Sequence, residues 1–281
     1  MSALLRFAPS PNGYLHLGHA YSALRTARWA EELGGTMLLR IEDIDTARCK
    51  PEFTTAIFED LDWLGLTWPE PVMVQSQRFD IYSDAAAKIE RMGLLYPCFC
   101  SRAEIAAHAV GHDPDGAPLY PGTCRHLSAA ERDERLAAGE RPAWRLNMQA
   151  AIALAGDVAF PESPRTDIKA PAPVTANPAR WGDVILVRKD TPTSYHLSVV
   201  VDDAAQGITH VTRGEDMQAA TDIHVLLQRL LGVPTPIYIF HPLLLDADGR
   251  KLAKSRQSQS LRDLKADGWT AEAVRRAVGF G

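Results

Sequence analysis

Cysteine is scarce: Cys49, Cys98, Cys100 and Cys124 are the only four in 281 residues, too few to staple a chain of this length with disulfides. Cys98 and Cys100 stand too close together for an ordinary structural bridge. With Cys124 they form a cluster that in a reducing compartment points to a metal ion, while Cys49 stands apart. Long apolar runs are missing too. No stretch approaches the roughly 20 residues that cross a bilayer, and no charged N-terminal segment leads into an apolar one, so a cytoplasmic protein with no membrane partner is expected. Nor is positive charge in excess: 30 Lys and Arg face 35 Asp and Glu, for a net charge of −5 and a pI near 6.0. An RNA partner would have to be met by a local basic patch on an acidic body.

What is present is ordinary for a globular protein, with 46% hydrophobic and 23% charged residues. The length suits one large α/β domain or a domain interrupted by an insertion. Residues 4–7 form a short apolar run stopped by prolines, and residues 17–33 carry apolar side chains at helical spacing until Gly34-Gly35 closes the segment. A second strand at 37–41 and helices near 51–64 and 78–93 follow. This alternation predicts a doubly wound, parallel, Rossmann-type sheet.

From Tyr96 the pattern changes. Cysteines, glycines and prolines cluster as far as Arg125, a charged helix follows at 128–138, and the proline-rich stretch 167–178 reads as a connection. Strand-like runs at 183–187, 195–201, 208–211 and 237–240, with a helix at 217–231, then resume the sheet. The expected organisation is a first half of the catalytic domain at 1–95, an inserted zinc-bearing α+β subdomain at 96–178, a second half at 179–240 and a short tail at 241–281.

Two short motifs carry chemistry. His16-Leu17-Gly18-His19 lies between a turn built from Pro9, Pro11 and Gly13 and a helix starting near Leu17. That puts both histidines on one face of the first helical turn, where free N–H groups and the helix dipole favour anions. Gly18 leaves room for a flat ring to approach the backbone. Far along the chain, Lys251-Leu252-Ala253-Lys254-Ser255 follows Asp246, Asp248 and Gly249, and two ammonium groups three residues apart on a glycine-flanked loop suit a clamp on a polyphosphate.

Together, HxGH after the first strand and KxxKS after the last resemble the class I aminoacyl-tRNA synthetases. The run Arg-Phe-Ala-Pro-Ser-Pro at 6–11 is similar to the glutamyl/glutaminyl branch, and so are the stretches at 40–43, 194–197, 200–203 and 208–216. The resemblance implies ATP binding by His16, Gly18, His19, Lys254 and Ser255, with His16, His19, Lys251 and Lys254 balancing phosphate charge beside Mg2+. It further implies L-glutamate binding by Arg6, Ala8, Ser10, Glu42, Tyr195 and Arg213. Arg6 and Arg213 can each meet a carboxylate with a planar fork, Glu42 can take the ammonium, and Tyr195 can line the pocket. Which arginine takes which carboxylate stays open. A guanidinium left unpaired by a neutral amide favours glutamate over glutamine.

For the metal, chemistry alone asks for a fourth ligand beside three thiolates, with His108, His112 and His126 nearby. A subgroup of the same family resembles the spacing Cys98-x-Cys100…Tyr120-x-x-x-Cys124 and implies a structural Zn2+ with Tyr120 as fourth ligand, His126 being the second choice. Asn12, Leu17 and Ala253 depart from the family's usual residues without removing any of these groups. Full-length glutamyl enzymes continue beyond the lysine motif into an anticodon-binding region, whereas here about one short helical pattern follows Ser255. The resemblance is therefore to a truncated subgroup, without an anticodon-binding domain. Such enzymes activate glutamate without tRNA and attach it to queuosine in the anticodon loop of tRNA(Asp). A monomer is expected, with residues 96–178 cradling the stem-loop and Arg125, Arg132, Arg135, Arg141 and Arg145 as candidate phosphate contacts. The competing readings are a catalytic fragment that charges the 3′ end of tRNA(Glu), a non-catalytic glutamate or RNA binder, and a nucleotidyltransferase, which also uses HxGH.

Overall fold

A computed structural model of the chain describes residues 2–244 and 259–280. The first unit alternates as the periodicity predicts: β1 (Leu4–Phe7), α1 (Leu17–Glu32), β2 (Thr36–Ile41), α2 (Pro51–Trp63), β3 (Met73–Val74) and α3 (Phe79–Arg91). β1, β2 and β3 pair in parallel, with Leu4 opposite Thr36 and Phe7 opposite Leu39. β4 (Leu95–Cys98), α4 (Arg102–His108), α5 (Ala129–Ala137), β5 (Ala143–Leu146) and α6 (Met148–Ala155) come next. Then follow β6 (Ala159–Glu162), β7 (Ala172–Thr175), β8 (Ile185–Val187), α7 (Tyr195–Ala205), β9 (His210–Gly214), α8 (Thr221–Leu231) and β10 (Ile237–His241). After the undescribed segment, α9 (Leu261–Ala266) and α10 (Ala271–Ala277) complete the order.

A second sheet runs β7-β6-β10-β9, parallel except for β7. Its β9 edge lies beside β1: the Thr209 amide donates to Leu4 O at 2.9 Å and the Leu4 amide to Thr209 Oγ1 at 2.8 Å. The sequence order of the strands thus reverses between β1 and β9, and the carboxyl ends of open sheets at such a reversal are where ligands bind. A third, antiparallel sheet, β4-β5-β8, carries Cys98 at the end of β4.

Three local expectations change. Residues 195–201 form the start of helix α7 rather than a strand, because Leu197, Ser198, Val199 and Val200 are buried together with Asp202 and Asp203. A run buried on several sides carries no amphipathic period to read. Residues 185–187 pair with β5 in the antiparallel sheet instead of extending the parallel one, and the connection 167–178 contains β7, which pairs with β6.

Leu5, Leu15, Leu39, Ile41, Ile57 and Leu61 form the core between β1, β2, α1 and α2, and Leu261, Leu264, Val274 and Val278 join it from the last two helices. The C-terminal segment is therefore fastened close to the first turn of α1, where the Leu261 amide donates to Leu15 O at 2.7 Å and Ser260 bridges His16 through the backbone.

Two adjacent acids bind α7 to its neighbours. The Asp202 carboxylate, wholly buried, accepts from Gln75 Nε2 (2.8 Å), Arg78 Nε (2.8 Å) and the Tyr82 hydroxyl (2.7 Å). Removing it leaves the half-buried Arg78 guanidinium and the buried Gln75 amide and Tyr82 hydroxyl without their acceptor, a loss of about 3–5 kcal/mol. Chemical denaturation of Asp202→Ala is expected to show a deficit of that size, while Glu31→Ala, which breaks an exposed pair with Arg28, stays within about 1 kcal/mol of the parent.

Candidate active site

At the carboxyl ends of β1, β2 and β9 lies a cavity of about 280 Å³. Its walls include Arg6, Ala8, Ser10, Glu42, Tyr195 and Arg213, joined by His19, Ser22 and Met217. All six residues expected to contact the amino acid are thus brought together.

Their charges are set by a buried network. Asp203 accepts from Arg6 Nε at 2.9 Å and from Arg40 Nη1 at 2.8 Å. Burial opposes ionisation of this carboxyl, but the two guanidinium groups outweigh it and hold it below the usual carboxylate range. Arg40, with no exposed side-chain surface, also donates to Glu42 Oε1 from Nη2 at 3.0 Å and Nε at 3.3 Å. Burial pushes Glu42 up, against the pull of Arg40 and Arg6. With both acids ionised, Arg6, Arg40 and Arg213 leave one positive charge in excess. Arg213 is pinned on one side, Nη1 against His224 Nδ1 at 3.1 Å and Nη2 donating to Thr221 Oγ1 at 3.1 Å, while its buried Nε has no hydrogen-bond partner. Ser10 Oγ donates to the Glu42 carbonyl at 2.8 Å, joining the proline turn to the end of β2.

The histidine turn adjoins this cavity. His16 caps α1: its Nδ1 accepts the Gly18 amide at 3.0 Å, and its own amide points to His19 Nδ1 at 3.2 Å. With both Nδ1 atoms accepting, the hydrogen bonds assign the proton of a neutral ring at either position to Nε2. The rings lie 4.0 Å apart. A Cβ at position 18 would stand 2.9 Å from His16 Cε1, so the room left by Gly18 is taken by the His16 ring itself. His241 Nε2, at the end of β10, meets Ser22 Oγ at 3.0 Å. The chain therefore leaves β10 and returns at Ser260 against the same helix. Lys251, Lys254 and Ser255 lie outside the described residues.

Away from this cavity, the thiols of Cys98, Cys100 and Cys124 lie within 4.8 Å of one another. Cys100 and Cys124 Sγ are 3.5 Å apart, and the Tyr120 hydroxyl is 3.8 Å from Cys100 Sγ. Burial pushes the Cys100 thiol up to about 11. Three thiols at this spacing can hold a soft or borderline metal ion. His126 is exposed in the turn that carries Cys124 and does not join the cluster.

The family described as tRNA synthetases class I (E and Q), catalytic domain, matches residues 3–280. The chain belongs to that family. It is accordingly an ATP-dependent ligase of the class I synthetase type. The glutamyl-Q tRNA(Asp) synthetase of Rhodobacter capsulatus is 44% identical over 99% of this chain and 100% of its own length. The glutamate–tRNA ligase of Hydrogenobaculum sp. is 39% identical over 96% of this chain, which spans 56% of that protein. A solved glutamate tRNA ligase from Elizabethkingia meningosepticum, in complex with its amino acid, has a TM-score of 0.73 at 29% identity, covering 96% of this chain and 54% of that one.

Two residues of this synthetase escaped the sequence reading. His224 and His196 form a buried file behind Arg213, with His196 Nδ1 3.2 Å from His224 Nε2 and the Tyr195 ring edge-on to both at 5.5 Å. Burial and the charge of Arg213 lower the pKa of His196 to about 4 and push that of His224 well below its usual value. Both rings are neutral at pH 7, and His224 is free to accept from the guanidinium. In an apolar helix such histidines read as core. Conversely, several arginines expected to meet RNA are engaged internally. Arg125 pairs with Asp183, Arg132 donates to Arg125 O, Arg135 pairs with Glu140, and Arg145 lies 4.0 Å over the Tyr120 ring.

His224→Ala would strand a buried donor of Arg213, costing about 1–3 kcal/mol of unfolding free energy. His224→Asn, whose amide oxygen can accept in place of Nδ1, is expected to recover most of that loss in the same denaturation measurement.

Proposed function

We propose that this synthetase activates L-glutamate with ATP, without needing tRNA, and then transfers it to queuosine in the anticodon loop of tRNA(Asp). The observation that supports this most is the gathering of Arg6, Ala8, Ser10, Glu42, Tyr195 and Arg213 around one cavity beside His19. A ligand with two carboxylates and one ammonium carries net −1, which matches the cavity's excess positive charge. Arg6 and Arg213 take the carboxylates and Glu42 the ammonium. Likeness over full length to a glutamyl-Q tRNA(Asp) synthetase supports the acceptor.

In the first step an oxygen of the glutamate α-carboxylate bonds to the α-phosphorus of ATP. The bond from that phosphorus to the bridging oxygen breaks, and pyrophosphate leaves. His16 and His19 donate from Nε2 to phosphate oxygens, and Lys254, helped by Lys251 and Ser255, balances the charge of the phosphates. Mg2+ arriving with ATP would supply further charge neutralisation. In the second step a hydroxyl of the queuosine cyclopentenediol attacks the activated carbonyl, an ester forms and AMP leaves. The enzyme's contribution is position and electrostatics, with no covalent intermediate on the protein.

The frame for this chemistry is read as a doubly wound, Rossmann-type catalytic body with a metal-bearing insertion. Cys98, Cys100 and Cys124 suit structural Zn2+, and Tyr120, whose hydroxyl also accepts the Cys124 amide at 2.7 Å, is the fourth ligand ahead of exposed His126. The ion would tie the end of β4 to the turn carrying Cys124.

Radiolabelled glutamate offered with ATP to tRNA from cells that make queuosine and from cells that cannot decides the acceptor. Label is expected in the first pool alone, in tRNA(Asp). Equal labelling of both pools would instead mark a tRNA(Glu)-charging fragment, and no glutamate-dependent ATP–pyrophosphate exchange would mark a binder.

A further inference from the structure

A second cavity, of about 370 Å³, is bounded by the end of β4, the start of α4, β5 and the residues after β8. Arg102, Arg145, Arg188 and Lys189 line it, together with Asp190 and with Cys98 and Cys100 of the thiol cluster. On a chain of net charge −5, this is a concentrated positive pocket. The neighbouring acids are engaged elsewhere: Glu104 accepts the Ser101 amide at 2.7 Å, and Glu140 pairs with Arg135.

Much of the donor capacity here is unspent. Exposed Arg102 makes no hydrogen bond or ion pair among the described residues. Arg145 is buried, and its Nε has no hydrogen-bond partner. Arg188 holds Asp190 at 3.2 Å and reaches Asp45 at 3.5 Å, and Lys189 donates to Phe99 O at 3.2 Å. Planar guanidinium forks converging in a cavity are suited to phosphate oxygens.

The pocket is also tied to the amino-acid cavity. Asp45, held by Arg188, is three residues beyond Glu42, and three residues of extended chain reach at most about 11 Å. Through Arg188 and Asp45 the pocket is joined to the chain that leaves Glu42 at the end of β2. The phosphates of ATP have donors of their own at His16 and His19, so a second anion site belongs to the other substrate.

We propose that this cavity holds a backbone phosphate of the RNA acceptor, close in the strand to the nucleotide that is esterified. The inference rests on the function proposed above and deepens it by locating the RNA contact. Of the five arginines expected to meet phosphate, Arg145 lies in this cavity, and Arg102, Arg188 and Lys189 are added to it.

The test is direct titration of the full chain with an unmodified tRNA(Asp) anticodon stem-loop over a range of salt, so that it does not depend on ester transfer. The double variant Arg102→Ala/Lys189→Ala should weaken binding about tenfold or more and lower the salt slope by about 1 for each lost phosphate contact. Glutamate-dependent ATP–pyrophosphate exchange should be unchanged. Arg91→Ala, an exposed arginine of α3 outside the cavity, should leave both readouts unchanged. Equal binding and salt slope in parent and double variant, or an equal loss in Arg91→Ala, would overturn the proposal. So would inorganic phosphate or pyrophosphate displacing the stem-loop at matched ionic strength, since the site would then serve a free anion. If the parent binds the stem-loop through this cavity but esterifies no queuosine, the acceptor reading fails and the RNA site stands.

Discussion

Asp203 is buried between Arg6 and Arg40, and the rest of the site is arranged around that contact. Three charged groups withdrawn from water cost several kcal/mol each unless they are paired with good geometry. Arg40 meets this demand by bonding Asp203, Glu42 and Gln206 together. Arg6 adds a bond to Thr212 O at 3.2 Å. β1, β2, β9 and the last turn of α7 are thereby locked together, and the cavity is walled by residues at the ends of the three strands and by Tyr195 at the start of α7. Asp202 next to it turns the other way and holds α3, so one turn of α7 fixes the helix to two sides of the molecule.

The chain uses charge at two scales. Its net charge is negative, yet both cavities are positive. In the first, an excess guanidinium charge is created by pairing three arginines with two acids, and Arg213 is oriented by a neutral histidine rather than by a third acid. A carboxylate in place of His224 would cancel the excess. In the second, Arg188 and Arg145 also hold internal partners, and Arg102 is the arginine that has none among the described residues.

The first half of the fold was legible because β1, α1, β2, α2 and α3 each bury one face and so display a period. Residues 195–201 were not, because burial on several sides erases that period and a β-branched run then resembles a strand. The sheet that β8 joins depends on β5, forty residues earlier in the chain (Arg145 pairs with Ile185), and no local pattern encodes that choice. The six residues expected to meet the amino acid, all from ordered motifs, line one cavity, and the space at Gly18 is filled by the ring of His16. His196 lies in the matched stretch 194–197 but takes no role from it, and His224 lies in none, their partners being twenty-eight and eleven residues away. For the arginines of α5 the i,i+3 spacing and charge show exposure, whereas their intramolecular partners, Arg125 O and Glu140, are visible only in the fold.

The central claim is that buried pairing leaves the cavity one positive charge that only a second carboxylate can satisfy. Comparison of glutamate with glutamine in ATP–pyrophosphate exchange in the absence of tRNA tests it most directly. Glutamate should be favoured in kcat/KM by at least about 10²-fold, because the isosteric amide leaves a buried guanidinium unmatched. Comparable values for the two amino acids would contradict the account.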